Sequence, residues 1–241
     1  MNDFISKFRW VLVGGGLFIL VGIIVLVAVL ASGSGDSTDV AGDAPVDASG
    51  SPVAPIERVD RQEFSGEGDT KENFKAGGGL TLLRFTHSGG SATNFIVTLS
   101  QDGQMIDQVV NAIGDYEGTR AVPLPVGDYV MEVRPGAGEW TAQIDQSVPE
   151  DAPAPPAEFS GSGQSATEFF KLEAGSADFR LRHEGQGVFI PGLVRSDGTR
   201  AGSIVNESGD FSSRVTVNIK AAGIYLVDVL ANGDWEIEVT Q

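Results

Sequence analysis

Few residues in this chain have side chains suited to chemistry. There are two histidines, His87 and His183, and no cysteine. Thiolate nucleophiles, redox pairs and thiolate metal sites are therefore excluded. Each histidine stands two residues before a glycine, in His87-Ser88-Gly89 and His183-Glu184-Gly185. They hold the same place in two copies of a repeat, which points to a structural role at a strand end. Histidine-rich tracts with metal-ligand spacing are absent. Carboxylates in glycine-rich turns are the better metal candidates. Asp102, Asp115, Glu117, Asp197 and Asp210 are the oxygen donors that a weak calcium site would draw on, since calcium takes about six to eight oxygens from such loops. No DxDxDG string accompanies them, and Asp-Gly and Gly-Asp are also ordinary turn residues, so both readings stay open. There is no GxSxG elbow, and Gly77-Gly78-Gly79 leads into a strand pattern instead of a helix, unlike a phosphate loop. The expectation is a protein without catalytic residues or cofactor. A paired-carboxylate envelope hydrolase is the alternative, disfavoured because so small a domain offers little cleft.

These residues belong to an internal duplication. Glu63-Phe64-Ser65-Gly66 recurs about 95 residues on as Glu158-Phe159-Ser160-Gly161. His87-Ser88-Gly89 matches His183-Glu184-Gly185, Asn94-Phe95-Ile96 matches Val188-Phe189-Ile190, and Asp102-Gly103 matches Asp197-Gly198. Gly114-Asp115-Tyr116 matches Gly209-Asp210-Phe211, Gly127 and Tyr129 match Gly223 and Tyr225, and Gly138-Glu139-Trp140 matches Gly233-Asp234-Trp235. Each copy closes on a glutamine, Gln146 and Gln241.

Within each copy the hydrophobic period is two, which argues for strands. Trp140, Ala142 and Ile144 alternate with Thr141, Gln143 and Asp145, and Trp235, Ile237 and Val239 alternate with polar residues in the same way. Tyr129, Met131 and Val133, their counterparts Tyr225, Val227 and Val229, then Phe95, Val97 and Leu99, and Val215, Val217 and Ile219 form further rows. The two Asp-Gly pairs, each between apolar runs, predict hairpin turns. Seven or eight short strands per copy describe an antiparallel sandwich or jelly roll of about 85 residues. Trp140 and Trp235, opening clean alternating strands, are expected in the core and not on a sugar-stacking surface.

The stretch Val11–Ala31 is apolar throughout, 21 residues without charge, amide or proline. At about 1.5 Å per residue it spans a bilayer's hydrocarbon core. Lys7 and Arg9 precede it and acidic residues follow it, so the N-terminus is expected in the cytoplasm and the bulk outside. Val29-Leu30-Ala31 resembles a cleavage site, but the apolar stretch exceeds the roughly 7–15 residues of a signal peptide, so the anchor is expected to be retained. The expected organisation is a cytoplasmic tail (1–10), a transmembrane helix (11–31), a disordered linker (32–61), a first sandwich (62–146), a Pro-rich linker (147–157) and a second sandwich (158–241). Four prolines in the second linker, Pro149, Pro153, Pro155 and Pro156, favour polyproline II and a rod-like string of two separate domains. The formal net charge of −17 disfavours nucleic acid and anionic lipid surfaces.

The series Phe64-Ser65-Gly66-Glu67-Gly68-Asp69, Asn94-Phe95-Ile96-Val97, Val110-Asn111 and Gly114-Asp115-Tyr116-Glu117-Gly118 resembles a β-sandwich module of exported and membrane-anchored bacterial proteins. In outline it is also similar to pre-peptidase C-terminal domains. The second copy departs from the pattern, with Gln164 in place of the Asp and with Pro191-Gly192 expected to break its third strand. The resemblance covers residues 63–241 and implies an all-β fold and an extracytoplasmic setting, with no catalytic residues to carry over. The expected function is binding or scaffolding at the cell envelope. The membrane is engaged through residues 11–31, and the partner is an envelope protein, a membrane complex or a glycan. The alternative is an accessory subunit of a membrane enzyme or transporter, recruited through the helix.

Overall fold

The stretches that alternate in sequence are strands in the computed structural model, which describes residues 59–241. The expected transmembrane helix and most of the first linker lie outside the described residues. Among the described residues no helix is long and apolar enough to cross a membrane.

The first copy contains β1 (Gln62–Glu67), β2 (Thr70–Gly77), β3 (Leu80–Ser88), β4 (Asn94–Gln101), β5 (Gln104–Ile113), β6 (Tyr116–Pro123), β7 (Val126–Arg134) and β8 (Glu139–Asp145). They form two four-stranded antiparallel sheets, ordered β1-β8-β3-β6 and β2-β7-β4-β5. Period-two alternation sends one row of each sheet inward. Leu83, Phe85, Trp140, Ala142 and Ile144 from one sheet meet Phe95, Val97, Leu99, Tyr129, Met131 and Val133 from the other. Each large side chain so buried contributes about 1.5–3 kcal/mol, and no disulfide assists.

The second copy repeats this plan with β9 (Ala157–Ser162), β10 (Ser165–Ala166), β11 (Phe170–Leu172), β12 (Gly175–Glu184), β13 (Val188–Arg195), β14 (Arg200–Ser203), β15 (Glu207–Ser208), β16 (Phe211–Ile219), β17 (Gly223–Ala231) and β18 (Asp234–Thr240). One sheet runs β9-β18-β12-β16. In the other, β17 lies between β13 and the short pair β10 and β11, and β13 carries the short pair β14 and β15 on its far side. The order is that of the first copy, with two edge strands each divided in two. Phe179, Leu181, Trp235, Ile237 and Val239 face Phe170, Phe189, Leu193, Tyr225, Val227 and Val229.

Asp102 and Gly103 both take left-handed backbone (φ 51° and 76°) and form the two-residue turn between β4 and β5, as a type I′ hairpin requires. The expected break at Pro191-Gly192 does not occur, because β13 runs through both residues. The Pro191 carbonyl accepts a hydrogen bond from Ile204 N–H (2.8 Å), so the proline nitrogen faces the same edge, in the gap between β15 and β14. No ladder bond is lost there.

The rod-like string is also corrected. The described residues fall in one compact unit, and the two sandwiches are docked. Leu80 and Ala121 of the first copy pack with Val194 and Leu226 of the second, flanked by Leu82, Ala166 and Phe169. Gly198, in the β13–β14 turn, sits against Gly79, Leu80 and Pro123. The outer face of β3 and β6 thus covers the outer face of β13 and β17. The Pro-rich segment follows the second copy, with the Pro153 carbonyl accepting from Lys171 N–H at 2.8 Å.

Candidate functional site: the open charged face of the second copy

The repeated motifs converge on one place in each sandwich. His87, 3% exposed, lies with Nδ1 3.0 Å from the Gly114 carbonyl and Nε2 2.8 Å from the Ala137 carbonyl. It therefore clasps the β5–β6 turn to the β7–β8 turn, and its ring stacks on Phe95 at 4.6 Å and 6°. His183 does the same with Gly209 (2.7 Å) and Asn232 (3.2 Å), stacked on Phe189 at 4.9 Å. The glycines beside each clasp are close-approach positions. A Cβ on Gly89 would lie 2.3 Å from the Ala137 carbonyl oxygen, and one on Gly185 would lie 1.9 Å from that of Asn232. Gly66 and Gly161 face the rings of Trp140 and Trp235 across β1–β8 and β9–β18. Both tryptophans are in the core (1% and 3% exposed). The closing glutamines bind the turn or strand end beneath them. The Gln146 amide oxygen accepts from Gly77 N–H, and Gln241 holds Glu173 N–H and carbonyl, all at 2.8 Å.

Four of the five candidate calcium carboxylates occupy separate turns and the fifth, Glu117, lies on β6. Asp115 accepts from Gly89 N–H (3.1 Å) and Gly90 N–H (2.9 Å), and Asp210 accepts from Gly185 N–H (3.0 Å), each tying the histidine turn down. Asp197 accepts from Thr199 N–H (2.8 Å) and pairs with Arg195 (3.0 Å). Asp102 sits at a hairpin tip, and Glu117 is exposed on β6. Among the described residues, no group of three or more His, Cys, Asp or Glu is placed to share a metal ion.

Sequence reasoning missed the joint between the copies and the face opposite it. Asp228 of β17 is 6% exposed. Its carboxylate accepts from Ala121 N–H at 3.0 Å and lies 3.4 Å from Arg120 and 3.7 Å from Arg200. Arg200 also donates to the Ala121 carbonyl at 2.8 Å. The Gln164 amide lies 2.7 Å from the Tyr116 hydroxyl, and with its oxygen turned to Arg120 it accepts at 3.1 Å. Burial raises the Tyr116 hydroxyl far above the usual phenol range, against the lowering pull of Arg120. Burial also raises Tyr129 and Tyr225, whose hydroxyls donate to the carbonyls of Pro125 (2.8 Å) and Ala221 (2.5 Å).

Docking covers the β3–β6 half of one outer face in the first copy and, among the described residues, leaves the equivalent face of the second copy open. That face, on β9, β18, β12 and β16, carries a groove of about 720 Å³ lined by Glu158, Ser160, Arg180, Arg182, Glu236 and Glu238 among others. An adjoining hollow of about 480 Å³ adds Glu184 and Asp210. Arg180 pairs with Glu238 (3.7 Å), and Arg182 pairs with Glu236 (3.6 Å) and with Glu184. At the matching register the first copy has Thr86 opposite Thr141 and Arg84 opposite Gln143. Its smaller hollow, about 300 Å³, is lined by Glu63, Ser65, Thr141 and Gln143 among others. Pairs this exposed, with arginine side chains 68% and 53% accessible, each contribute about 0–1 kcal/mol, so stability does not account for the ladder. The groove offers two guanidinium groups, carboxylates and hydroxyls for recognition. Both histidines of the chain are committed to backbone carbonyls, and Ser160 and Ser212 have no histidine partner among the described residues.

The chain matches no family model and no curated protein sequence. Among solved structures it is similar to the PBSX exported protein XepA, at 11% identity over 85% of this chain and 100% of that one, with a TM-score of 0.25. It is similar to the infectious bursal disease virus Gx strain structure at 10% identity over 78% of this chain and 73% of that one (TM-score 0.23). It is similar to Bacillus subtilis oxalate decarboxylase at 10% identity over 74% and 72% (TM-score 0.16). At these TM-scores the likenesses carry no argument about fold or chemistry.

Proposed function

We propose that the chain is a single-pass, membrane-anchored, extracytoplasmic binding or scaffolding protein. It presents two tandem jelly-roll-like sandwiches, and the open charged face of the second copy is its contact surface for an envelope protein or glycan. One observation carries this reading. The repeat's motifs are spent on clasps, turns and core, and the first copy's face is spent in part on the joint. Among the described residues the second copy's β9-β18-β12-β16 face stays free, and it carries a groove whose ion ladder adds little to stability. Strand orders β1-β8-β3-β6 with β2-β7-β4-β5, repeated in the second copy, support the jelly-roll description. The anchor rests on the apolar stretch Val11–Ala31 and the basic residues before it.

A second reading is an accessory subunit of a membrane enzyme or transporter. Gly14-Gly15-Gly16 and Gly22 would let another helix approach closely, although glycine is also common in membrane helices without a partner. Co-purification from native membranes separates the two readings. If the full chain keeps its partner when Val11–Ala31 is exchanged for an unrelated membrane helix, the exported face carries the contact. Loss of the partner on that exchange transfers the contact to the anchor.

A further inference from the structure

The duplication allows each residue of the joint to be compared with its twin. On β7 the outward row is Asp128, Val130, Glu132 and Arg134, with Glu132 paired to Arg134 (2.6 Å) and Lys71 (3.4 Å). At the equivalent positions β17 has Ile224, Leu226, Asp228 and Leu230. Two of the row's three charges are exchanged for aliphatic side chains, Asp128 for Ile224 and Arg134 for Leu230, and Glu132 is the one whose charge is kept. There the carboxylate is shorter by one methylene and buried. The apolar part of the joint is small, centred on Leu80, Ala121, Val194 and Leu226. Apolar contact is non-directional, and small contacts between domains leave them free to shift. A buried carboxylate held by one N–H and two guanidinium groups is satisfied in one geometry only.

We propose that Asp228 is the positioning residue that fixes the mutual orientation of the two sandwiches, so that the charged face of the second copy is presented at a single angle. Oδ1 of Asp228 is held by Ala121 N–H, and Arg120 and Arg200 approach the same carboxylate from different copies. Rotation of either sandwich takes Asp228 away from Ala121 N–H and Arg120, and takes Arg200 away from the Ala121 carbonyl, leaving the buried carboxylate with Arg200 alone, whereas it only slides the apolar patch. This inference is independent of which partner the face binds.

The absence of cysteine makes the test direct, because spin labels can be placed at Gln104→Cys and Asn206→Cys, one exposed site in each copy of the full chain in detergent. Electron–electron distance measurement on this background is expected to give one narrow distribution. Asp228→Ala is expected to lose the single peak and give a broad distribution, while Asp228→Asn, which keeps an acceptor for Ala121 N–H, falls between. With Trp10 replaced by Phe, fluorescence of Trp140 and Trp235 reports whether the two copies stay folded. If Asp228→Ala does not fold, Arg200→Gln, at a side chain 41% accessible, must itself broaden the distribution. A broad distribution in the unsubstituted chain overturns the proposal. So does an unchanged narrow peak in whichever of the folded variants Asp228→Ala or Arg200→Gln is read.

Discussion

Individual residues of the repeat motifs are explained by how closely they let other groups approach. Gly161 lies across from Trp235, and an added Cβ would stand 2.4 Å from the ring; at Gly66 the corresponding distance from Trp140 is 3.0 Å. Gly161→Ala is expected to cost about 1–3 kcal/mol by overpacking, and Gly66→Ala less, in chemical unfolding followed by tryptophan fluorescence. Equal costs would contradict the geometry. The three tyrosines supply a test in alkali. Burial raises Tyr116, Tyr129 and Tyr225 above their ordinary range. An unfolded tyrosine ionises near about 10. The folded chain therefore retains protons that the unfolded chain has lost, and the tyrosines' contribution to stability is complete below about pH 10 and declines above it. Absorbance at 295 nm is expected to show no tyrosinate until far-ultraviolet circular dichroism reports unfolding. Tyrosinate forming near pH 10 with the fold intact would show that the hydroxyls are not buried.

At the scale of strands and turns, each histidine is the link between two hairpins. His183→Phe retains the stack on Phe189 but leaves the Gly209 and Asn232 carbonyls without a ring nitrogen. An expected cost of about 1–3 kcal/mol follows, because the neutral ring donates to one of the two carbonyls and its removal leaves that one unpaired. Hydrogen exchange should accelerate around those two turns and not in β13. Acceleration spread evenly over the sheet would argue against a local clasp. Much of this scale was legible in the sequence. Period two located the strands, and the Asp102-Gly103 hairpin followed from turn chemistry. The joint was not legible as a partner surface, although it left a trace. β17 reads Ile-Tyr-Leu-Val-Asp-Val-Leu, apolar on both parities, where β7 alternates. A strand buried on both faces loses its alternation, and that was the available signal. Pro191 misled because its cost depends on which edge its nitrogen faces, and this is settled only by pairing. Asp228 could not be distinguished from a surface acid, because Arg120 is brought to it by docking and Arg200 by strand pairing within the second copy.

The whole molecule departs from a string of independent domains. The Pro-rich connection is compatible with an extended rod, but apolar contact and a buried carboxylate bring the two sandwiches together, so that the β3–β6 half of one face of the first copy and the β13–β17 face of the second are covered. Surface ladders such as Arg180–Glu238 and Arg182–Glu236 add little to stability, as do the exposed pairs Lys71–Glu132–Arg134 and Lys75–Asp128 on the first copy's β2–β7 face; what sets the second copy's ladder apart is that it lines a groove, which recognition accounts for best. The most direct test is purification of the full chain from native membranes in mild detergent, beside the double variant Arg180→Glu and Arg182→Glu, with mass spectrometry of the proteins and glycans retained. The account predicts a stoichiometric partner on the unsubstituted chain, reduced by about tenfold or more on the variant while its thermal stability is unchanged. A partner retained equally by both proteins, or none retained by the unsubstituted chain, would contradict the assignment of the open face as the binding surface.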